Sequence, residues 1–250
     1  MAIRVYLAGS IALESEERLI RAIDLGTRQS RLLFAYLVCA DRRPVPKGEL
    51  TEVLWGETLP SSWDVSLAAL ASKLRALLAG VGVRDAIDGA LGAYRLLLPQ
   101  DAWVDVLAAG AEIYRAEGAL LRGAPEEAEP HALVAATITR REFLPDEAGA
   151  WVEGMRAQLG EQRGRALEIL AETLIHAGDT ARAVRAAADV LDSDPLRETG
   201  YQLLMRAHAA SGNRADALRV YERCRRELRD ELGIDPSPAT ERVYLAILRT

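Results

Sequence analysis

Between Glu49 and Leu96 the order of apolar, polar and turn-forming residues leaves few arrangements open. Glu49 to Gly56 (ELTEVLWG) has the composition of a short helix ended by glycine, and a Pro- and Ser-bearing turn follows it. Ser62 to Leu78 then carries Leu67, Leu70, Leu74, Leu77 and Leu78 at helical spacing, one apolar stripe on a longer helix. The opposite face holds Ser61, Val65, Ala68, Ala69, Ser72 and Ala76, with Lys73 and Arg75 on its flanks. Small side chains on an exposed helix face let its backbone approach another surface closely. Gly92 to Leu96 (GAYRL) reads as a returning strand.

Three strand-like segments precede this stretch: Ile3–Leu7, Ile11–Leu13 and Leu19–Leu25. A helix is expected from Thr27, which is placed to N-cap it, through Leu32, Leu33, Tyr36 and Leu37 to about Ala40. Pro44 and Pro46 stop it, and Lys47 to Trp55 gives the next helix. Gly80, Gly82 and Asp88–Gly89 break the chain before a strand over Tyr94–Leu98, closed by Pro99. Helix, turn, longer helix and strand make the layout of a winged helix-turn-helix, whose second helix enters the DNA major groove.

Beyond Ala102 the periodicity is helical throughout, and it repeats. Gly178 and Gly212 stand 34 residues apart, as do Ala181 and Ala215, Ala183 and Ala217, and Arg185 and Arg219. A 34-residue helix–turn–helix period with glycine at the turn is the tetratricopeptide signature. Trp103 to Arg140 has the same texture without an alignable repeat. The expected architecture is mainly α: an N-terminal α+β winged helix over residues 1–100, then an all-α tetratricopeptide-like domain over 102–250. Such repeats bury one face against their neighbours and leave a groove for partners.

The net charge of −6 is uneven. Residues 1–100 hold twelve Arg/Lys against eleven Asp/Glu, and the rest of the chain is acidic. A strongly basic footprint is missing, so nucleic-acid binding must rest on a few placed cations. No apolar run of about 18 residues offers a membrane span. The N-terminus opens on a strand without a cleavable signal, and Cys39 and Cys224 read as separate, buried or partly buried thiols. A cytoplasmic protein is expected. There is no phosphate-cradling Gly-rich loop ending in Lys and Ser/Thr, no Cys/His metal set and no motif-placed carboxylate pair, so neither enzyme activity, cofactor nor metal is expected. His131, His176 and His208 read as structural. Trp55 and Trp63, flanking the turn, read as core anchors. Arg223, Arg225, Arg226 and Arg229 interleave with Glu222, Glu227, Asp230 and Glu231, which points to ion pairing along a solvated helix.

Several segments together resemble the SARP family of bacterial regulators, which pair an OmpR-type winged helix with a bacterial transcriptional activator domain. They are Leu25–Gln29 (LGTRQ), Leu54–Gly56 (LWG), Leu74–Arg75, Gly92–Arg95 (GAYR) and Arg141–Pro145 (REFLP). The most specific is Glu231–Glu241 (ELGIDPSPATE), followed by Tyr244, Leu245 and Leu248. The resemblance implies binding to direct repeats in double-stranded promoter DNA by two or more self-associating protomers, with recruitment of RNA polymerase holoenzyme. It places Ser72 and Lys73 where the recognition helix points into the groove. It puts Thr27, Arg28, Gln29 and Arg31 at a phosphate-binding helix N-terminus, and Tyr94 and Arg95 in the wing. Val65, Ala68 and Ala69 suit thymine methyls, and Arg75 flanks the same face. Two readings stand: a sequence-specific transcriptional activator, or a tetratricopeptide adaptor whose winged helix docks protein. Salt-dependent binding to promoter duplexes separates them.

Overall fold

A computed structural model describes residues 3–16 and 18–249. Their contacts fall into two compact units. One holds the residues up to Ala108 together with Arg141–Leu159; the other holds Ala109–Arg140 and the residues from Gly160 on.

The first unit opens on β1 (Arg4–Tyr6), β2 (Ala12–Glu14) and β3 (Leu19–Arg21), an antiparallel meander. Val5 lies opposite Leu13, and Leu13 opposite Ile20. All three are buried, so the period-2 alternation gives the sheet one apolar face. The third strand is shorter than the sequence implies. Ala22–Leu25 forms a helical turn, α1, in which the Asp24 carboxylate accepts the Arg21 N–H at 2.9 Å.

Next comes α2 (Arg28–Cys39), N-capped as expected by Thr27, whose side chain accepts the Ser30 N–H at 3.3 Å. It buries Leu32, Leu33, Phe34, Ala35, Leu37 and Val38, more than one face, as a central helix must. The short β4 (Val45–Pro46) leads into α3 (Lys47–Trp55) and, across the turn, α4 (Trp63–Ala79). Leu50 and Leu54 of α3 and Leu67, Ala71, Leu74 and Leu78 of α4 fill the core. Each buried leucine contributes about 1.5–3 kcal/mol. Trp55 and Trp63 are half-buried. Leucines anchor the core here, because the indoles sit at the rims of their helices. The hairpin β5 (Ile87–Asp88) and β6 (Ala93–Leu96) closes the wing, with β4 on the other edge of β6.

Trp103–Val104, expected to be helical, form β7, a parallel neighbour of β1 held by Trp103 N–H to Ile3 C=O at 2.8 Å. Arg141–Leu159 also returns to this unit. Gly9 N–H donates to Glu142 C=O at 2.7 Å and Leu144 N–H to Leu7 C=O at 3.2 Å. Phe143, Leu144 and Val152 are buried, and Trp151 packs edge-on against Tyr36 and Phe143. A continuous boundary at 100–102 therefore differs from the division by contacts, because this later segment is tied to the N-terminal sheet by backbone pairing.

The second unit is helical: α5 (Asp105–Leu121, starting in the first unit), α6 (Pro125–Thr139), α7 (Ala150–His176, whose first turns belong to the first unit), α8 (Thr180–Ser193), α9 (Glu198–Ala210), α10 (Arg214–Leu232) and α11 (Pro238–Arg249). Gly123, Gly178 and Gly212 share one turn. Their φ values are 73°, 76° and 76°, and in each the glycine N–H and the next N–H close back on the preceding helix. Trp103–Arg140 thus carries the same helix–turn–helix as the two aligned repeats. Gly123 and Gly178 are 55 residues apart (178 − 123). Most of the excess over one 34-residue period is the Arg141–Leu159 excursion, which hid the repeat. Ala128, Ala132, Ala135, Ala166, Ala183 and Ala187 are buried where these helices meet. Gly200 lets α9 approach α8: a Cβ there would stand 2.8 Å from Leu191 Cδ2.

Candidate nucleic-acid interface

The helix pair α3–α4 presents one face of α4 outward. Ser61 and, on the helix, Val65, Ala68, Ala69, Ser72, Lys73 and Ala76 are exposed, and Val65 is 72% so. The leucine stripe lies inward, because the same 3.6-residue period that buries one face exposes the other. Lys73 leans over the start of α2. Its Nζ lies 2.6 Å from where a Cβ on Gly26 would stand, so glycine at that turn leaves the ammonium room. Thr27, Gln29, Ser30, Trp55, Ser66, Ala69, Leu70 and Lys73 line a cavity of about 360 Å³ between α2 and α4. Four of the expected contact residues, Thr27, Gln29, Ala69 and Lys73, meet there.

Others are engaged within the protein. Arg28 donates to Ala148 C=O at 2.5 Å and to Leu54 C=O at 3.4 Å, with its side chain 43% exposed. Arg31 is more buried and donates to Glu147 at 2.5 Å and to Gly26 C=O at 2.6 Å. Arg75 ties α4 to the wing through Ile87 C=O at 2.8 Å. Arg95 pairs with Asp88 at 2.8 Å across β5 and β6. Tyr94 is buried against Gly89, so its ring packs the hairpin and does not stand open to a phosphate. Missed from sequence was Leu91, fully exposed at the hairpin tip, for which the flanking Asp88–Gly89 and Gly92 were the available signal. Glu147, between Arg28 and Arg31, had none.

Elsewhere several titratable groups have structural roles. His131 Nδ1 meets Glu112 at 2.5 Å. Burial pushes the Cys39 and Cys224 thiols up to about 12, which makes both poor nucleophiles. Of the arginine group on α10, Arg225 pairs with Glu222, but Arg229 takes Asp235 beyond the helix and Arg223 lies over the Tyr201 ring. In the ELGIDPSPATE segment, Ser237 N–H, Ser237 Oγ and Thr240 Oγ1 all donate to the Glu198 carboxylate, fixing α11 onto α9. Among the described residues no cluster of His, Cys, Asp and Glu is arranged to hold a metal, and no helix is long and apolar enough to cross a membrane.

A winged helix-turn-helix joined to helical repeats defines a class of regulatory protein. Residues 104–248 match the bacterial transcriptional activator domain. The chain belongs to that family and, with its winged helix, to the SARP regulators. It is 34% identical over 233 residues to the regulatory protein AfsR of Streptomyces coelicolor, covering 90% of this chain and 22% of AfsR. To the transcriptional regulatory protein EmbR of Mycobacterium tuberculosis it is 32% identical over 227 residues, covering 90% of this chain and 58% of EmbR. The structure of M. tuberculosis EmbR in complex with a low affinity phosphopeptide superposes with a TM-score of 0.91 at 30% identity, over 99% of this chain and 65% of that one. The chain thus spans about a fifth of AfsR and under three fifths of EmbR.

Proposed function

We propose that the protein is a sequence-specific transcriptional activator that inserts α4 into the major groove of promoter DNA. The observation that carries this reading is the exposed face of α4, built of small residues and flanked by Lys73, within a winged helix of a regulator family. Ser72 and Lys73 read base edges, while Val65, Ala68 and Ala69 pack on thymine methyls. Thr27 and Gln29 hold a phosphate at the α2 N-terminus, and Arg28, half-exposed and partly engaged within the protein, adds a fraction of its charge. Arg31, Arg75, Tyr94 and Arg95 hold the surfaces that carry these contacts. The residues up to about 100, joined by Arg141–Leu159, serve DNA. The helical repeats from 102 on serve protein contacts with a second protomer and with RNA polymerase holoenzyme. The reading places the protein in the cytoplasm and gives it no enzymatic step.

Ala69→Glu tests it. The position is exposed on a helix, so the fold should persist, while an acid pressed into the groove should weaken binding to promoter duplex by at least about tenfold, the effect of one lost base contact. Unchanged binding in a gel shift, with a wild-type circular dichroism spectrum, contradicts the placement of α4.

A further inference from the structure

Arg28 and Arg31 converge on one carboxylate. Glu147 Oε1 accepts from Arg31 Nε at 2.5 Å, and Oε2 lies 3.7 Å from Arg28 Nε. The Glu147 side chain is 2% exposed, and its Oε2 is buried without a hydrogen-bond partner. Its position is fixed from behind. The Glu147 N–H donates to Leu144 C=O at 2.9 Å. Arg156 donates to the carbonyls of Phe143, Leu144 and Glu147 at 2.8–3.0 Å. Arg156 thus sets the turn, the turn sets the carboxylate, and the carboxylate sits on the two cations that begin α2. An anion paired with cations at a helix N-terminus competes with a DNA phosphate for the same charges.

Charge sharpens the point. The residues of this unit, 1–108 with 141–159, hold fourteen Arg/Lys against seventeen Asp/Glu. A unit with that balance has little sequence-independent attraction to the duplex, and Glu147 draws on two of its best-placed cations.

We propose that Glu147 is a specificity-determining residue. It shares the charge of Arg28 and Arg31 as an internal anion, limits the grip of Arg28 on phosphates of any sequence, and leaves discrimination to the α4 face. This deepens the DNA-binding reading above and rests on it. It also makes the activator-domain sequence, through Arg141–Leu159, part of the DNA-contact chemistry.

The test titrates the whole chain into a mixed-sequence duplex of about 30 base pairs, by fluorescence anisotropy, from about 50 to about 200 mM KCl. Glu147→Gln should steepen the slope of log K against log salt by about one unit, the release expected for one further phosphate contact, and bind roughly threefold tighter at the low-salt end. Asp146→Asn makes the same charge change at the exposed neighbouring position and should leave the slope near wild type. Arg28→Ala should flatten the slope by less than about half a unit in the wild-type background and by about one unit beside Glu147→Gln. Equal slopes for Glu147→Gln and Asp146→Asn overturn the proposal. So does a full-unit loss for Arg28→Ala alone, which decides the matter even where Glu147→Gln fails to fold. A wild-type chain that binds no duplex at any salt overturns the DNA-binding reading and this inference with it. Binding without coupling between positions 28 and 147 overturns this inference alone.

Discussion

Asp105 shows what a single buried carboxylate does for this fold. It is buried and accepts the N–H groups of Leu7, Ala8 and Val106 at 2.7–3.0 Å, joining the end of β1 to the start of α5. Burial pushes its carboxyl above the usual value, and the three N–H donors pull it only partly back. The folded chain therefore keeps this proton to higher pH than the unfolded chain. Its contribution to stability is greatest at low pH and declines as pH rises from the ordinary carboxylate value through the raised one. Asp105→Asn should remove that decline. It should also lower stability at neutral pH by about 2 kcal/mol, because an amide NH₂ cannot accept from those donors. Urea unfolding at several pH values checks both, and unchanged stability with an unchanged pH slope contradicts them. At this scale the sequence was readable only where partners are near. Thr27 was visible as a cap because Ser30 lies three residues on. Glu147 was not, because 116 residues separate it from Arg31 and no period links them.

Elements follow their periods. The inward leucines and outward small residues of α4 were legible because amphipathic spacing over seventeen residues identifies both faces at once. The four-residue α1 and two-residue β7 were not, since so few residues carry no period and their conformation is set by neighbours. Glycine turns were legible by recurrence. Gly178→Val should cost about 1–3 kcal/mol, because a β-branched residue at φ 76° is strained. Gly200→Val should cost a similar amount for a different reason, overpacking against Val190 and Leu191. Gly154→Ala, within α7 and with nothing within 4 Å of the added Cβ, should stabilise by about 0.5–1 kcal/mol. Thermal unfolding of the three variants separates these cases. Loss of stability in Gly154→Ala, or none in the other two, contradicts the packing described.

For the chain as a whole, the repeat period disclosed the helical half, and the Arg141–Leu159 excursion concealed its first repeat and the true extent of the N-terminal unit. A fragment of residues 1–108 lacks Phe143, Leu144 and Val152, all buried in that unit. It should therefore unfold without the cooperativity of the intact chain. A sharp calorimetric transition at the full-length temperature contradicts this. The acidic balance of the N-terminal unit bears on assembly as well. One winged helix should hold duplex weakly, and two protomers on adjacent half-sites raise the effective concentration of each. Half-sites should be direct repeats about 10–11 base pairs apart, and inserting about five base pairs should abolish cooperative binding by turning one protomer to the far side. The most direct measurement is selection of a random duplex library by the intact chain, followed by sequencing of the bound pool. Reading by α4 predicts enrichment of a direct repeat with that spacing, lost in Ala69→Glu. A bound pool indistinguishable from the input library contradicts the account.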